Sequence, residues 1–202
     1  MTDKNVLENN KKIRLTGIAL LYFLGVLTGV VIYIFPINGY SEYFCAVTEN
    51  FILCRLSKDF TEIMISSFCE PFILLLVCFL LGLSAIAHPV EYLVIVFHGL
   101  GIGVTLAEIY DNFNADEIVI AILMIIPGTV ITAFAVIIAV REALNMSSDI
   151  CSASFGRNGT GVKIDFRLYF TKFVILCAMI VAGALVESLF IFFLADLWCF
   201  KK

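Results

Sequence analysis

Charge is the scarcest property of this sequence. Only 15% of its 202 residues are Asp, Glu, Lys or Arg, against 61% hydrophobic, and no soluble domain of ordinary composition fits that balance. Histidine occurs twice, as His88 and His98. The two do not form HExxH and no third strong ligand stands at helical spacing, so metal catalysis lacks a ligand set. A phosphate-binding GxxxxGK[ST] loop is missing, and with it any means of hydrolysing ATP. Ser84, four residues before His88, stands in no nucleophile motif and reads as glue between helices. The seven cysteines include no CxxC. Cysteines buried as small apolar residues are the default reading, with an outer disulfide among Cys45, Cys54 and Cys69 as the alternative. A net charge of -4 points to neither nucleic acid nor anionic lipid as a partner.

What remains is apolar sequence in long runs. Crossing the hydrocarbon core takes roughly 20 helical residues, and residues 15–35, 72–87, 90–110, 118–140 and 173–197 each supply about that length. The expected fold is all-α: a polytopic integral membrane helix bundle of about five transmembrane helices, forming a single domain whose first partner is the lipid bilayer. The first run follows Lys11, Lys12 and Arg14 as a signal peptide would. It is a full span long and has no small-residue cleavage site, so it reads as a retained anchor. Lys and Arg concentrate in cytoplasmic loops. An N-terminus inside the cell puts Lys4, Lys11, Lys12, Arg14, Arg141, Arg157, Lys163, Arg167 and Lys172 in the cytoplasm, and leaves Arg55, Lys58, Lys201 and Lys202 outside with the C-terminus. Trp198, Tyr33, Tyr40, Tyr43, Tyr110 and Tyr169 fall near span ends, where interfacial aromatics belong.

Two segments do not span. Residues 36–70 are expected outside as short amphipathic helices, with Phe44, Val47 and Phe51 on one face and Phe60, Met64 and Phe68 on another. Residues 141–172 contain SSDICSASFGRNGTG, whose Ser, Asn and Gly content predicts a flexible cytoplasmic loop.

Within the spans, small residues recur four apart, a spacing that lets helix backbones approach closely. Gly25 with Gly29, Gly99 with Gly103, Gly128 with Thr132 and Ala178 with Ala182 all fit. Pro127 lies mid-span and frees a carbonyl, with Thr129 and Thr132 at hand to satisfy local groups. The third run also carries a polar stripe. At ~100° per residue, His98, Thr105, Gly101 and Glu108 follow Glu91 within roughly 100° of arc, so one face is polar and should look inward. Pro89 suits the first helical position, which places Glu91 in the first turn beside the helix dipole, and Glu108 lies near the other end. His98 and Glu187 of the fifth run are both near mid-membrane, where each needs a partner. A structural pair fixing helix register is one reading of the two; a proton or ion relay is the other. No catalytic residue, cofactor site or metal site is expected.

The stretch GLSAIAHPVEYLVIVFHGLGIG, residues 82–103, followed by the Pro127 span ending in AVREALNMS, resembles the stage II sporulation protein M family. Small size, about five spans and a basic N-terminus inside agree with it. His98 departs from the family pattern, in which the position before Gly99 is often lysine. The resemblance implies a non-enzymatic scaffold of the bacterial cell membrane that acts in endospore engulfment. It would anchor stage II sporulation proteins D and P, the partners that cut peptidoglycan outside the cytoplasm. Other family members resemble membrane subunits of export transporters, so an export or ion-coupled permease using a His98/Glu187 relay is the alternative. A homo-oligomer is left open.

Overall fold

Every helix of this chain must satisfy its own backbone, because a segment crossing lipid finds no water to hydrogen-bond. The computed structural model, which describes residues 2–35, 60–84, 88–112, 115–155 and 165–199, accordingly consists of helices: α1 (Thr2–Ile34), α2 (Phe60–Gly82), α3 (His88–Asn112), α4 (Ala115–Phe155) and α5 (Phe166–Cys199). All five are long and apolar enough to cross a membrane, and the protein is an all-α membrane bundle.

Packing divides the bundle into two unequal parts. The tightest pair is α1 on α3, and the second part gathers α2, α4 and α5. The four glycines of the first pair explain its closeness. A Cβ added at Gly25 would stand 2.6 Å from the Val96 carbonyl oxygen and 3.3 Å from the Gly99 Cα, and one added at Gly29 would stand 3.1 Å from the Gly103 Cα. Backbone therefore lies on backbone, a contact that dispersion and weak Cα–H···O bonds reward and any side chain would block. At the far ends of the same two helices, Tyr33 donates a hydrogen bond to the Asp111 carboxylate at 3.2 Å.

The apolar core of the second part centres on Leu75, Cys78, Val136, Ala139, Val140, Ala143, Leu176 and Ile180, and Ile95 joins α3 to it. Tyr169 ties α2 to α5: its hydroxyl donates to the Phe79 carbonyl at 3.0 Å and its ring stacks on Phe79 with centroids 5.3 Å apart. Its side chain is buried, and it lies in the first turn of α5, near the span end as expected. Leu20, Phe23, Leu24 and Leu27 of α1, Phe134 of α4 and Phe193 of α5 stay exposed, as lipid-facing residues should.

Three expected boundaries are corrected. The second span is not residues 72–87: α2 starts at Phe60 and passes through Pro71 without a break. Residues 60–70, expected in an outer segment, thus belong to α2, whose first turn carries Glu62. A proline ends a helix in water more readily than in a bundle, where neighbours re-satisfy the freed backbone. Here Pro71 is itself buried, Phe68 stacks on Phe72 across it, and Phe60 packs edge-on against Phe192 of α5. Similarly, the fourth span does not stop near residue 140. Residues 141–155, expected in a loop, are helical, because Ala143, Leu144, Met146 and Ser147 continue the buried face of Val140. The fifth helix starts at Phe166 rather than near 173. Asp165 caps it by accepting the Leu168 amide at 3.2 Å, and Lys172 pairs with Glu142 of α4 at 2.5 Å. With 41 residues, α4 reaches about 60 Å against a hydrocarbon core of about 30 Å. One end of the bundle therefore stands beyond the bilayer. The faces expected at Phe44, Val47 and Phe51 lie outside the described residues, as do Cys45, Cys54 and residues 156–164 of the expected loop. The described cysteines Cys69, Cys78, Cys151 and Cys177 carry no disulfide.

Candidate functional site

The polar stripe of α3 does not face a single place. His98 turns toward α1, its ring centroid 5.8 Å from that of Tyr22, and its buried Nδ1 has no hydrogen-bond partner. Beside it opens a cavity of about 740 Å³ to which all five helices contribute. Ser67 and Glu70 of α2, Thr105 of α3, Thr129 and Thr132 of α4 and Glu187 of α5 supply most of its polar lining. The structure thus places His98 and Glu187 on the walls of one cavity.

Glu187 reaches that position because α4 offers it a glycine. A Cβ at Gly128 would stand 2.7 Å from Oε2 of Glu187 and 2.9 Å from its Cγ, so only the absence of a side chain admits this one. Pro127, one residue earlier, lies inside an unbroken α4. Neither nearby threonine serves the carbonyl of Leu123, the one Pro127 frees. Thr129 donates to the Ile125 carbonyl at 2.8 Å, and Thr132 to the Gly128 and Thr129 carbonyls at 3.2 and 3.0 Å. Thr105 in turn donates to the Gly101 carbonyl at 3.1 Å. All three hydroxyls are spent on their own helices. Ser67 is not: it is 2% exposed and its Oγ has no partner.

Glu91 is the residue that reading the sequence undervalued. The first turn of α3 and the helix dipole are a sufficient account of it in the sequence; in the fold it is 0% exposed, and neither carboxyl oxygen has a hydrogen-bond partner. Cys78 of α2 and Tyr169 of α5 lie within reach of its charge. The reason is the length of α4 and α5, which carry protein past the start of α3; Ser147 of α4 donates to the Ser84 carbonyl there at 2.6 Å. The signal that could have found this is the spacing of Val140, Ala143, Leu144 and Ser147, which continues the helical face beyond the expected end of the span. Glu108, near the other end of α3, is 3% exposed.

Burying a carboxyl group without partners costs several kcal/mol in its ionised form, so Glu91 is a second polar node, separate from the cavity. Among the described residues no three His, Cys, Asp or Glu side chains are grouped to hold a metal ion. No family model, curated protein or solved structure matches this chain.

Proposed function

We propose that the protein is a non-enzymatic scaffold of the bacterial cell membrane, N-terminus in the cytoplasm, that holds peptidoglycan-degrading partners on the outer face during endospore engulfment. The observation that supports this reading is the glycine seam between α1 and α3, taken with the resemblance of residues 82–103 to stage II sporulation protein M. Backbone contact at four glycines leaves α1 little room to slide, as a fixed platform requires. Residues 36–59 leave from α1 and return into α2, so the segment offered to a partner is tethered at both ends.

The partners would be enzymes resembling stage II sporulation proteins D and P. Glu42, Glu49, Asp59 and Glu62 would supply the polar rim of the contact and the intervening aromatics its anchors. Replacing these four acids together, in a sporulating host, should leave the protein at normal levels while hydrolase recruitment is lost and engulfment stalls. Recruitment that persists at the wild-type level rejects the reading.

One observation favours a second reading. His98 and Glu187 line the same intramembrane cavity, as a proton or ion relay in a permease subunit would require. Such a subunit of an exporter would need a separate ATPase. Loss of a measurable transport flux on replacing His98, with recruitment intact, would put the permease in place of the scaffold.

A further inference from the structure

We propose that the cavity between α1 and α4 binds a membrane-borne amphiphilic amine, a molecule with one apolar chain and one protonated nitrogen. This assignment does not depend on the scaffold reading. Its volume of about 740 Å³ lies within the ~300–1,000 Å³ that ligand pockets occupy.

The way in is through the lipid. Phe23 of α1 and Val130 and Phe134 of α4 line the cavity, yet they are 63%, 47% and 59% exposed among residues that face the bilayer. Helices α1 and α4 hardly pack on each other, and the space between them is the opening. An occupant entering there comes from the membrane and brings an apolar body, which suits walls that are mostly aliphatic and aromatic.

The end of the occupant is selected by the polar groups inside. Ser67, almost fully buried, keeps an unused hydroxyl, and His98 keeps an unused Nδ1. The threonine hydroxyls on the wall are already committed to carbonyls of their own helices. Two carboxyl groups, Glu70 and Glu187, line the cavity, and no Lys or Arg does. A phosphate or carboxylate end would meet like charge and no cation, which is costly in a low-dielectric site. An ammonium end would meet carboxylate acceptors, with Ser67 as a further acceptor, in charge-assisted hydrogen bonds.

The test uses the full chain in phosphatidylcholine nanodiscs and three photoreactive probes that carry the same diazirine-bearing hexadecyl chain: an amine, a carboxylic acid and a phosphatidylcholine. Labelled peptides are located by mass spectrometry. The amine should label α1 and α4 around Phe23 and Phe134 saturably, roughly tenfold or more above the acid, as one charge-assisted hydrogen bond gives. Gly101 lines the cavity and a Cβ added there meets nothing within 4 Å. Gly101→Phe should therefore fill the space and abolish labelling while the protein unfolds at the wild-type temperature. Glu187→Gln should lower amine labelling to the level of the acid. Equal labelling by all three probes overturns the proposal, as does preference for the acid or the phosphatidylcholine. Amine labelling spread over the lipid-facing surface and indifferent to Gly101→Phe overturns it too.

Discussion

Changing Gly99 to alanine adds one methyl group to the face of α3 that touches α1, whereas changing Gly101 to alanine adds the same methyl to a face that touches nothing. At Gly99 the new Cβ would stand 2.5 Å from the Tyr22 carbonyl oxygen and 3.1 Å from the Val26 amide nitrogen. Carbon atoms rest about 3.5 Å or more from their neighbours, so the overlap approaches an ångström. Both obstacles are backbone of α1, which cannot rotate away as a side chain can. Helix α1 must withdraw along its whole contact. Overpacking of this kind costs roughly 1–3 kcal/mol, and alanine returns about 0.5–1 kcal/mol by its better helical propensity. A net loss of about 1–2 kcal/mol is expected for Gly99→Ala. At Gly101 no atom lies within 4 Å of the added carbon, so only the propensity term remains and the variant should gain about 0.5–1 kcal/mol. Reversible unfolding by SDS in mixed micelles, followed by circular dichroism, measures both. The two alanines should move stability in opposite directions. If Gly99→Ala matches Gly101→Ala within about 0.3 kcal/mol, the backbone seam is not what holds α1 to α3.

The same unfolding measurement tests two other contacts. Tyr169→Phe should cost about 1 kcal/mol, the net worth of one hydrogen bond, since the ring stack on Phe79 survives and only the bond to its carbonyl is lost; an unchanged protein would show that the hydroxyl contributes nothing. A double-mutant cycle replacing His98 and Glu187 by apolar residues should show coupling of about 0.5–2 kcal/mol, because both border one cavity. Strictly additive losses would assign them separate partners. Orientation is open to labelling on a cysteine-free background. Single cysteines in residues 36–59 should react with impermeant reagent in intact cells, and reaction at Gly159 instead would invert the expected topology.

Hydropathy alone located the five spans, because roughly 20 apolar residues in a row admit few other structures. The small-residue spacing marked Gly25, Gly29, Gly99 and Gly103, and those four make the α1–α3 contact. Span ends were harder to read. Pro71 and the polar residues before it look like a boundary in a single sequence, and only the packing of Phe60, Phe68 and Phe72 carries the helix through them. The stretch after Arg141 looks like a loop by its Ser and Asn content, yet Ala143 and Ser147 face the interior. The burial of Glu91 follows from the same continuation of α4. A residue in the first turn of a helix reaches solvent only if the neighbouring helices end at the same level, and α4 does not. Periodicity gives the face a residue occupies, whereas depth is set by the lengths of the helices packed around it.

Photocrosslinking from residues 36–59 in intact sporulating cells, with identification of the captured proteins, tests the scaffold reading most directly. A photoreactive amino acid placed at Glu49, and separately one placed at Arg157, sample the proposed outer segment and the proposed cytoplasmic segment. The scaffold predicts a peptidoglycan hydrolase captured from Glu49, lost when Glu42, Asp59 and Glu62 are replaced. Capture of an ATPase from Arg157, with no hydrolase captured from Glu49, would contradict it.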